Sequence, residues 1–269
     1  MNAYMIHLAF EFKTGLRNAV LLMMNYLFPL GFYVLMGLVM TQVNPAFRET
    51  MIPALVIFIA LASTVLGLPS PLVEQREAGI FRTYKISGVP APAILIIPAL
   101  STIFHAVIAS GIMAATAGPL FGASLPTNWG AFLLVSLLTI AAFGALGALI
   151  GVASANSRAT VLWSQLIFLP SMLIGGLMLP LSLIPKTMLP FSTLLPPAHA
   201  MQALVGLAYG QETVLNPTVS VGVLLATVLL GFGLAIYLFD WDRVNRARRG
   251  HPLMALLVLV PYVVGMVLG

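Results

Sequence analysis

The chain has no cysteine and very little charge. Of its 269 residues, twelve are Lys or Arg and seven are Asp or Glu, so 7% are charged, whereas a soluble domain carries about a quarter. Without cysteine there is no disulfide, no thiol nucleophile and no thiolate metal site, and four scattered histidines offer little to a metal ion. The basic residues are too dispersed for a nucleic-acid-binding patch. These absences exclude a soluble enzyme, a disulfide scaffold and a nucleic-acid partner.

Long uncharged runs dominate the chain instead. Hydrophobic residues make up 60% of it, the mean hydropathy is +1.06, and the 72 residues from Ile86 to Ser157 contain no Asp, Glu, Lys or Arg. A helix of about 20 apolar residues crosses roughly 30 Å of hydrocarbon. The runs are continuous, whereas membrane β-barrels alternate apolar and polar positions. The sequence therefore predicts an all-α polytopic membrane protein embedded in a lipid bilayer.

The positions of the charges predict six transmembrane helices, at 20–43, 51–73, 93–118, 129–155, 159–184 and 214–239. With a cytoplasmic N-terminus, ten of the twelve Lys and Arg residues fall on the inner side, which predicts a multi-pass protein of the plasma (inner) membrane. Segment 187–211 is uncharged but interrupted by Pro190, Pro196 and Pro197. We expect it to form a broken, re-entrant pair of short helices on the outer side, because a full span would place the four arginines of 243–249 outside.

The two ends of the chain differ from the spans. Residues 1–18 place polar side chains on one side of a helix and apolar ones on the other, which predicts an amphipathic helix in the inner headgroup layer that is retained. Residues 246–269 comprise a basic turn and a further apolar segment. As an α-helix, 253–268 would be about 24 Å long, so it is either a short seventh span, which we favour, or an interfacial segment.

The densest cluster of charges lies between the second and third spans, in residues 74–90, which we call the charged loop. Five of the nineteen charges fall within twelve residues there. Gly79 is expected to end the helix that extends from the second span, and Ile80 to Ile86 to form about two further turns. Exposed Ile80, Phe81 and Tyr84 among these charges favour a docking surface over a merely solvated loop.

The predicted spans contain no Asp, Glu, Lys or Arg. Ion-coupled carriers usually place such residues within the membrane, so an apolar or amphiphilic cargo is favoured.

Hydroxyls in spans often bond to their own helix, whereas buried amides need a partner. The candidate pathway residues are Asn25 and Gln165, Tyr26, and the hydroxyl residues Ser63, Thr64 and Ser164. Close helix packing is predicted at Gly144, Gly147 and Gly151.

No lysine follows a glycine, so the chain has no GxxxxGK[ST] phosphate-binding loop. Any energy for uphill transport must therefore come from another chain. 

The chain resembles the permease subunit of type-2 ATP-binding-cassette exporters in three features. They are the order of these elements, the sequence from Glu74 to Arg82, and the segment Leu195-Pro196-Pro197-Ala198-His199-Ala200. The resemblance covers residues 1–245, which it implies are the transmembrane domain. It further implies a separate ATPase subunit that holds ATP and Mg²⁺, no cofactor on this chain, and a second permease copy or a paralogue. The implied ATPase-coupling residues are Glu74, Arg76, Glu77, Gly79, Ile80, Phe81, Arg82, Tyr84 and Lys85.

Two other functions are weighed against transport driven by a partner ATPase. Ser124 before the fourth span and His199 before the sixth follow the order of six-span intramembrane serine proteases, whose dyad must lie within hydrogen-bond reach. A passive membrane channel is the other alternative.

Overall fold

The computed structural model describes residues 12–13, 17–241 and 250–269, which contain helices and no strand. In chain order the helices are α1 (Ala19–Val43), α2 (Phe47–Glu77), α3 (Ile80–Ile86), α4 (Ala91–Phe121), α5 (Trp129–Ala153), α6 (Ser157–Ile174), α7 (Leu189–Thr193), α8 (Pro196–Tyr209), α9 (Pro217–Leu238) and α10 (Val260–Leu268). Two 3₁₀ helices occupy Leu181–Leu183 and Pro252–Leu259. Within α1 and α2, residues Met23–Leu27 and Leu61–Leu66 are π-helical.

Five of these helices, α1, α2, α4, α5 and α9, are long and apolar enough to cross a membrane. They confirm five of the six predicted spans. The fifth predicted span, 159–184, corresponds to α6, which ends ten residues early, at Ile174. The expected end was wrong because Gly175 and Gly176, the latter with φ +87°, break the helix before Pro180. Of the predicted interfacial helix, 1–18, residues 1–11 and 14–16 lie outside the described residues, and so does the whole arginine cluster of 243–249.

Asparagine begins four of the helices. The side chains of Asn18, Asn128, Asn156 and Asn216 each accept hydrogen bonds from first-turn N–H groups, of α1, α5, α6 and α9 respectively. An N-cap satisfies donors that have no partner within the helix. In a chain with few charges, these neutral caps set where the apolar helices start.

Helix α2 is the centre of the bundle. All its residues from Met51 to Val65 are buried, and it packs against α1, α4, α5 and α8. Helix α5 packs along α9, where Gly231 lies against the backbone of Ala145. The two π-helical segments of α1 and α2 contact each other.

Segment 187–211 forms two short helices, as predicted: α7 ends at Thr193 and α8 starts at Pro196. Proline fits the first turn of α8, where its missing N–H has no intrahelical acceptor. Twelve residues of α8 are buried, so this pair is part of the bundle rather than a surface loop.

The C-terminal segment Pro252–Leu268 is shorter than the five long helices and runs antiparallel along α9. Gly250 contacts Tyr237 near the end of α9, the hydroxyls of Tyr262 and Thr227 are hydrogen-bonded at 2.9 Å, and Gly269 contacts Leu215, just before α9 begins. The segment therefore follows α9 from one end to the other.

Candidate functional site

The charged loop is built from the last turns of α2, Gly79 and the short helix α3. Gly79 has φ +75° and separates the two helices, as predicted, because a left-handed conformation costs glycine nothing. The following helix spans Ile80–Ile86, the two turns expected from the sequence.

Two side chains tie the charged loop to the turn between α5 and α6. Arg76 is 8% exposed, and its Nη1 and Nη2 donate to the carbonyl oxygens of Val152 at 3.1 Å and Ser154 at 2.5 Å. These carbonyls lie at the C-terminal end of α5, where the helix dipole also favours a cation. Beside them, the Ser157 hydroxyl donates to Glu77 Oε2 at 2.8 Å. The loop and the α5–α6 turn are therefore connected by hydrogen bonds.

The expectation that Phe81 is exposed was wrong. Its side chain is 2% exposed and packs on Phe239, with ring centroids 5.5 Å apart, because an aromatic ring gains more by burial against the bundle than on a charged surface. Lys85 Nζ lies 5.8 Å from the centroid of the Trp241 ring. One face of α3 thus packs against residues that follow α9.

Isoleucines provide the exposed apolar surface of the charged loop. Ile80 is 39% exposed and Ile86 is 89% exposed, while Tyr84 is half-buried and Arg82 is exposed. Ile86 was not among the predicted coupling residues, because it is the first residue of the long uncharged run. Ile86 is the most exposed large apolar side chain of the charged loop.

A cavity of about 660 Å³ opens beside the charged loop, between α1, α2 and α6. We call it the loop-side cavity. Its walls are apolar at Met24 and Leu66 and polar at Glu74, Ser164 and Gln165. Glu74, predicted at the coupling loop, and the two predicted pathway residues of α6 thus meet in one cavity.

A smaller recess of about 90 Å³ adjoins this cavity and shares wall residues with it, among them Asn18, Leu21 and Gln75. We call it the polar recess. Asn25 and His105 line it; they are 2% and 1% exposed, and Asn25 Oδ1 has no hydrogen-bond partner among the described residues.

The ring of His105 is fixed on its other side. Tyr26 Oη lies 2.7 Å from His105 Nδ1, and Phe12 stacks on the imidazole with centroids 4.5 Å apart. His105 was not among the predicted pathway residues, although it is the one plainly ionisable side chain within the predicted spans, and that signal could have found it.

The three hydroxyl candidates behave differently from one another. Thr64 donates to the Ala60 carbonyl of its own helix at 2.6 Å, as expected for a hydroxyl in a span. Ser63 and Ser164 make no such bond: both hydroxyl oxygens are buried, and neither has a partner within 12–13, 17–241 and 250–269. Ser63 and Thr64 do not line the loop-side cavity or the polar recess, whereas Ser164 lines the cavity.

The three glycines of α5 lie where helices approach closely. A Cβ atom on Gly144 would be 3.0 Å from the Ile103 side chain, one on Gly151 would be 3.1 Å from Leu72, and one on Gly147 would overlap the backbone carbonyl of Thr64. Such small residues allow backbones to approach within a membrane.

The serine protease alternative fails on geometry. The buried His199 ring has Nδ1 3.2 Å from Ser220 Oγ and Nε2 2.9 Å from the Thr193 carbonyl oxygen. Both nitrogens are engaged within the bundle, so neither is available to Ser124, whose N–H bonds to the Arg48 carbonyl. His199 instead fixes the junction between α7 and α8 to α9. 

Within ranges 12–13, 17–241 and 250–269, no group of three or more metal-ligating His, Asp or Glu side chains is found.

The long apolar helices are those of a multi-pass helical membrane protein. Residues 35–237, about three quarters of the chain, match the family described as ABC-2 family transporter protein. The chain belongs to this family, whose permeases bind no cofactor, lack an ATPase domain of their own and generally pair with an ATP-binding-cassette ATPase subunit. No curated protein matches the chain.

Proposed function

We propose that this chain is the permease subunit of an ATP-driven exporter and forms the path for an apolar or amphiphilic cargo, such as a drug-like molecule or a lipid. Residues 1–245 form the transmembrane domain of the permease family, and the C-terminal segment Pro252–Leu268 adds one span to it. Two permease subunits, identical or paralogous, enclose the path, and two copies of a separate ATPase press on the charged loop. The observation that carries this proposal is the form of that loop: one side is tied to the bundle by Arg76 and Phe81, and the other exposes Ile86.

The bundle crosses the membrane seven times in this proposal. Helix α6 is the fifth span: its 18 residues are about 27 Å long, and Leu162, Leu166 and Leu173 are exposed for contact with lipid or a second subunit. Its lower apolarity comes from Arg158 in its first turn and Gln165 at its middle.

The seventh span is the C-terminal segment. Its eight 3₁₀ residues extend about 16 Å and its nine α-helical residues about 14 Å, together about 30 Å, which is the thickness of the hydrocarbon core. The extended 3₁₀ geometry thus supplies the length that 253–268 would lack as an α-helix. Its path along the whole of α9 supports a complete crossing with the C-terminus outside.

The orientation follows from the basic residues. A cytoplasmic N-terminus in the plasma (inner) membrane places Arg76, Arg82, Lys85 and Arg158 inside, at one end of the bundle. The charged loop then faces the cytoplasmic ATPase, and the α7–α8 pair enters the membrane from outside.

Hydrogen bonds provide a route from the charged loop into the spans. A displacement of the loop pulls on the Val152 and Ser154 carbonyls through Arg76 and on the start of α6 through the bond between Glu77 and Ser157. In this role Arg76 positions the loop, while Ile80 and Ile86 contact the ATPase. Since α6 and α2 both line the loop-side cavity, their relative movement would change its shape.

The test is to express the chain with its ATPase subunit and compare Ile86→Glu with Ile86→Leu. Burying one large aliphatic side chain contributes about 1.5–3 kcal/mol, so the glutamate variant should bind the ATPase roughly tenfold or more weakly and lose ATP-dependent transport. The leucine variant should retain both. Transport that continues without ATP would favour the passive channel, and unchanged ATPase binding by Ile86→Glu would refute the docking role.

A further inference from the structure

The polar recess contains a buried amide oxygen that meets no donor from the part of the chain that the structure describes. Asn25 Oδ1 accepts no hydrogen bond from any described residue, although buried polar groups in folded proteins are nearly always hydrogen-bonded. An amide in an apolar helix also carries a cost that a leucine in its place would avoid. The recess therefore offers the Asn25 amide oxygen as a hydrogen-bond acceptor to a polar group that enters it.

Irregular backbone surrounds the same place. Asn25 lies in the π-helical segment Met23–Leu27, which faces the π-helical segment Leu61–Leu66 across the cavity wall formed by Met24 and Leu66. Such π-helical turns inside α-helices occur frequently at functional sites, because they widen the helix and redirect side chains. Two of them meeting beside one cavity is independent support for a binding site.

The charge of the cavity selects the sign of its ligand. Glu74 is the one charged side chain among the described residues that line it, and no Lys or Arg of the described chain lines it. The remaining polar lining consists of hydroxyls and amides, and the wall between them is apolar. A cation is attracted at the mouth, and an anion is repelled.

We propose that the loop-side cavity and the polar recess together bind an organic ammonium ion with an apolar body. Glu74 attracts the charge at the mouth, Met24 and Leu66 contact the body, and Asn25 Oδ1 accepts a hydrogen bond from an ammonium N–H in the recess. This assignment rests on the proposed transport function and names the class of its cargo.

The probe is 1-pyrenemethylammonium, compared with 1-pyrenemethanol, which has the same apolar body without the charge. Binding is measured by fluorescence anisotropy with the full chain in nanodiscs of phosphatidylcholine, after subtraction of the signal from empty nanodiscs. The ammonium should bind saturably and up to about fivefold more tightly than the alcohol, the upper range for one partly exposed ion pair.

Three variants locate the site. Glu74→Gln should abolish the preference for the cation, and Asn25→Leu should weaken ammonium binding about tenfold, as for a hydrogen bond to a charged group. Glu212→Gln is the matched control, because it removes an exposed carboxylate that lies outside the cavity. It should bind the ammonium as tightly as the natural chain does. Because Glu74 is exposed, its variant tests the proposal even where Asn25→Leu fails to fold.

Equal affinity for the ammonium and the alcohol would overturn the site. Unchanged ammonium binding by both Glu74→Gln and Asn25→Leu would also overturn it, and would mean that water alone fills the recess. If the complete complex uses ATP to transport the neutral alcohol as well as the ammonium, the cation site is refuted and the transport function is supported. Saturable, Glu74-dependent binding without ATP-driven movement would support the site and refute the transport function.

Discussion

Arg76 offers the most direct test of how the charged loop is connected to the membrane spans. Its guanidinium donates to two backbone carbonyls at the end of α5, Val152 at 3.1 Å and Ser154 at 2.5 Å, and only 8% of the residue is exposed. Replacing it by methionine keeps an unbranched apolar stem of similar length but removes both donors. The loop would then be held mainly by the packing of Phe81 and the bond between Glu77 and Ser157.

The cost can be estimated from these two bonds. A hydrogen bond from a charged donor contributes about 1.5–3 kcal/mol, so two give at least about 3 kcal/mol. Part of this is recovered, because the variant does not bury a guanidinium and water can reach carbonyls near the membrane surface. We expect Arg76→Met to lower the free energy of unfolding by about 2–3 kcal/mol.

Two measurements check this expectation. Denaturant unfolding in mixed micelles reports the stability, and the ratio of transported cargo to hydrolysed ATP in the assembled complex reports coupling, which should fall because the loop moves without α5. Arg158→Met is the matched control, since it removes an exposed positive charge from the same end of the bundle and should change stability by less than about 0.5 kcal/mol. If the two variants unfold alike and transport alike, Arg76 does not connect the loop to the spans.

Two further outcomes follow from the packing and the topology. Gly147→Ala should destabilise the bundle by about 1–3 kcal/mol, because its Cβ would overlap the backbone of Thr64, whereas Gly233→Ala, with open space around it in α9, should be neutral or slightly stabilising in the same unfolding assay. Because the chain has no cysteine, single cysteines report sidedness: Gly269→Cys in intact cells should react with a membrane-impermeant maleimide and Ser87→Cys only after lysis. Labelling of Gly269→Cys only after lysis would contradict the seventh span.

Several elements could be predicted because they depend on neighbours in the chain. The long helices follow from uninterrupted apolar runs, the break at Gly79 from the one residue that adopts φ +75° without cost, and the α7–α8 break from its prolines. The end of α6 was placed ten residues too late, because apolar composition alone does not mark where a helix stops.

The candidate site was predicted only in part. The charged loop was found from its local charge density, but which of its side chains are buried was not, since Phe81 and Arg76 are covered by residues about 80 to 160 positions away. The same holds for the polar recess, where Asn25 meets His105 from another helix. No spacing in the sequence encodes that meeting.

The sequence by itself determined that this protein lives in a membrane, how its long apolar helices divide the chain and where its charges gather, because each of these depends on composition and local pattern. Only the tertiary structure decided which side chains of the charged loop are exposed, that the Asn25 amide is buried beside His105, and how a short C-terminal segment follows α9 from end to end. Those outcomes depend on contacts between residues far apart in the chain, which local pattern does not specify.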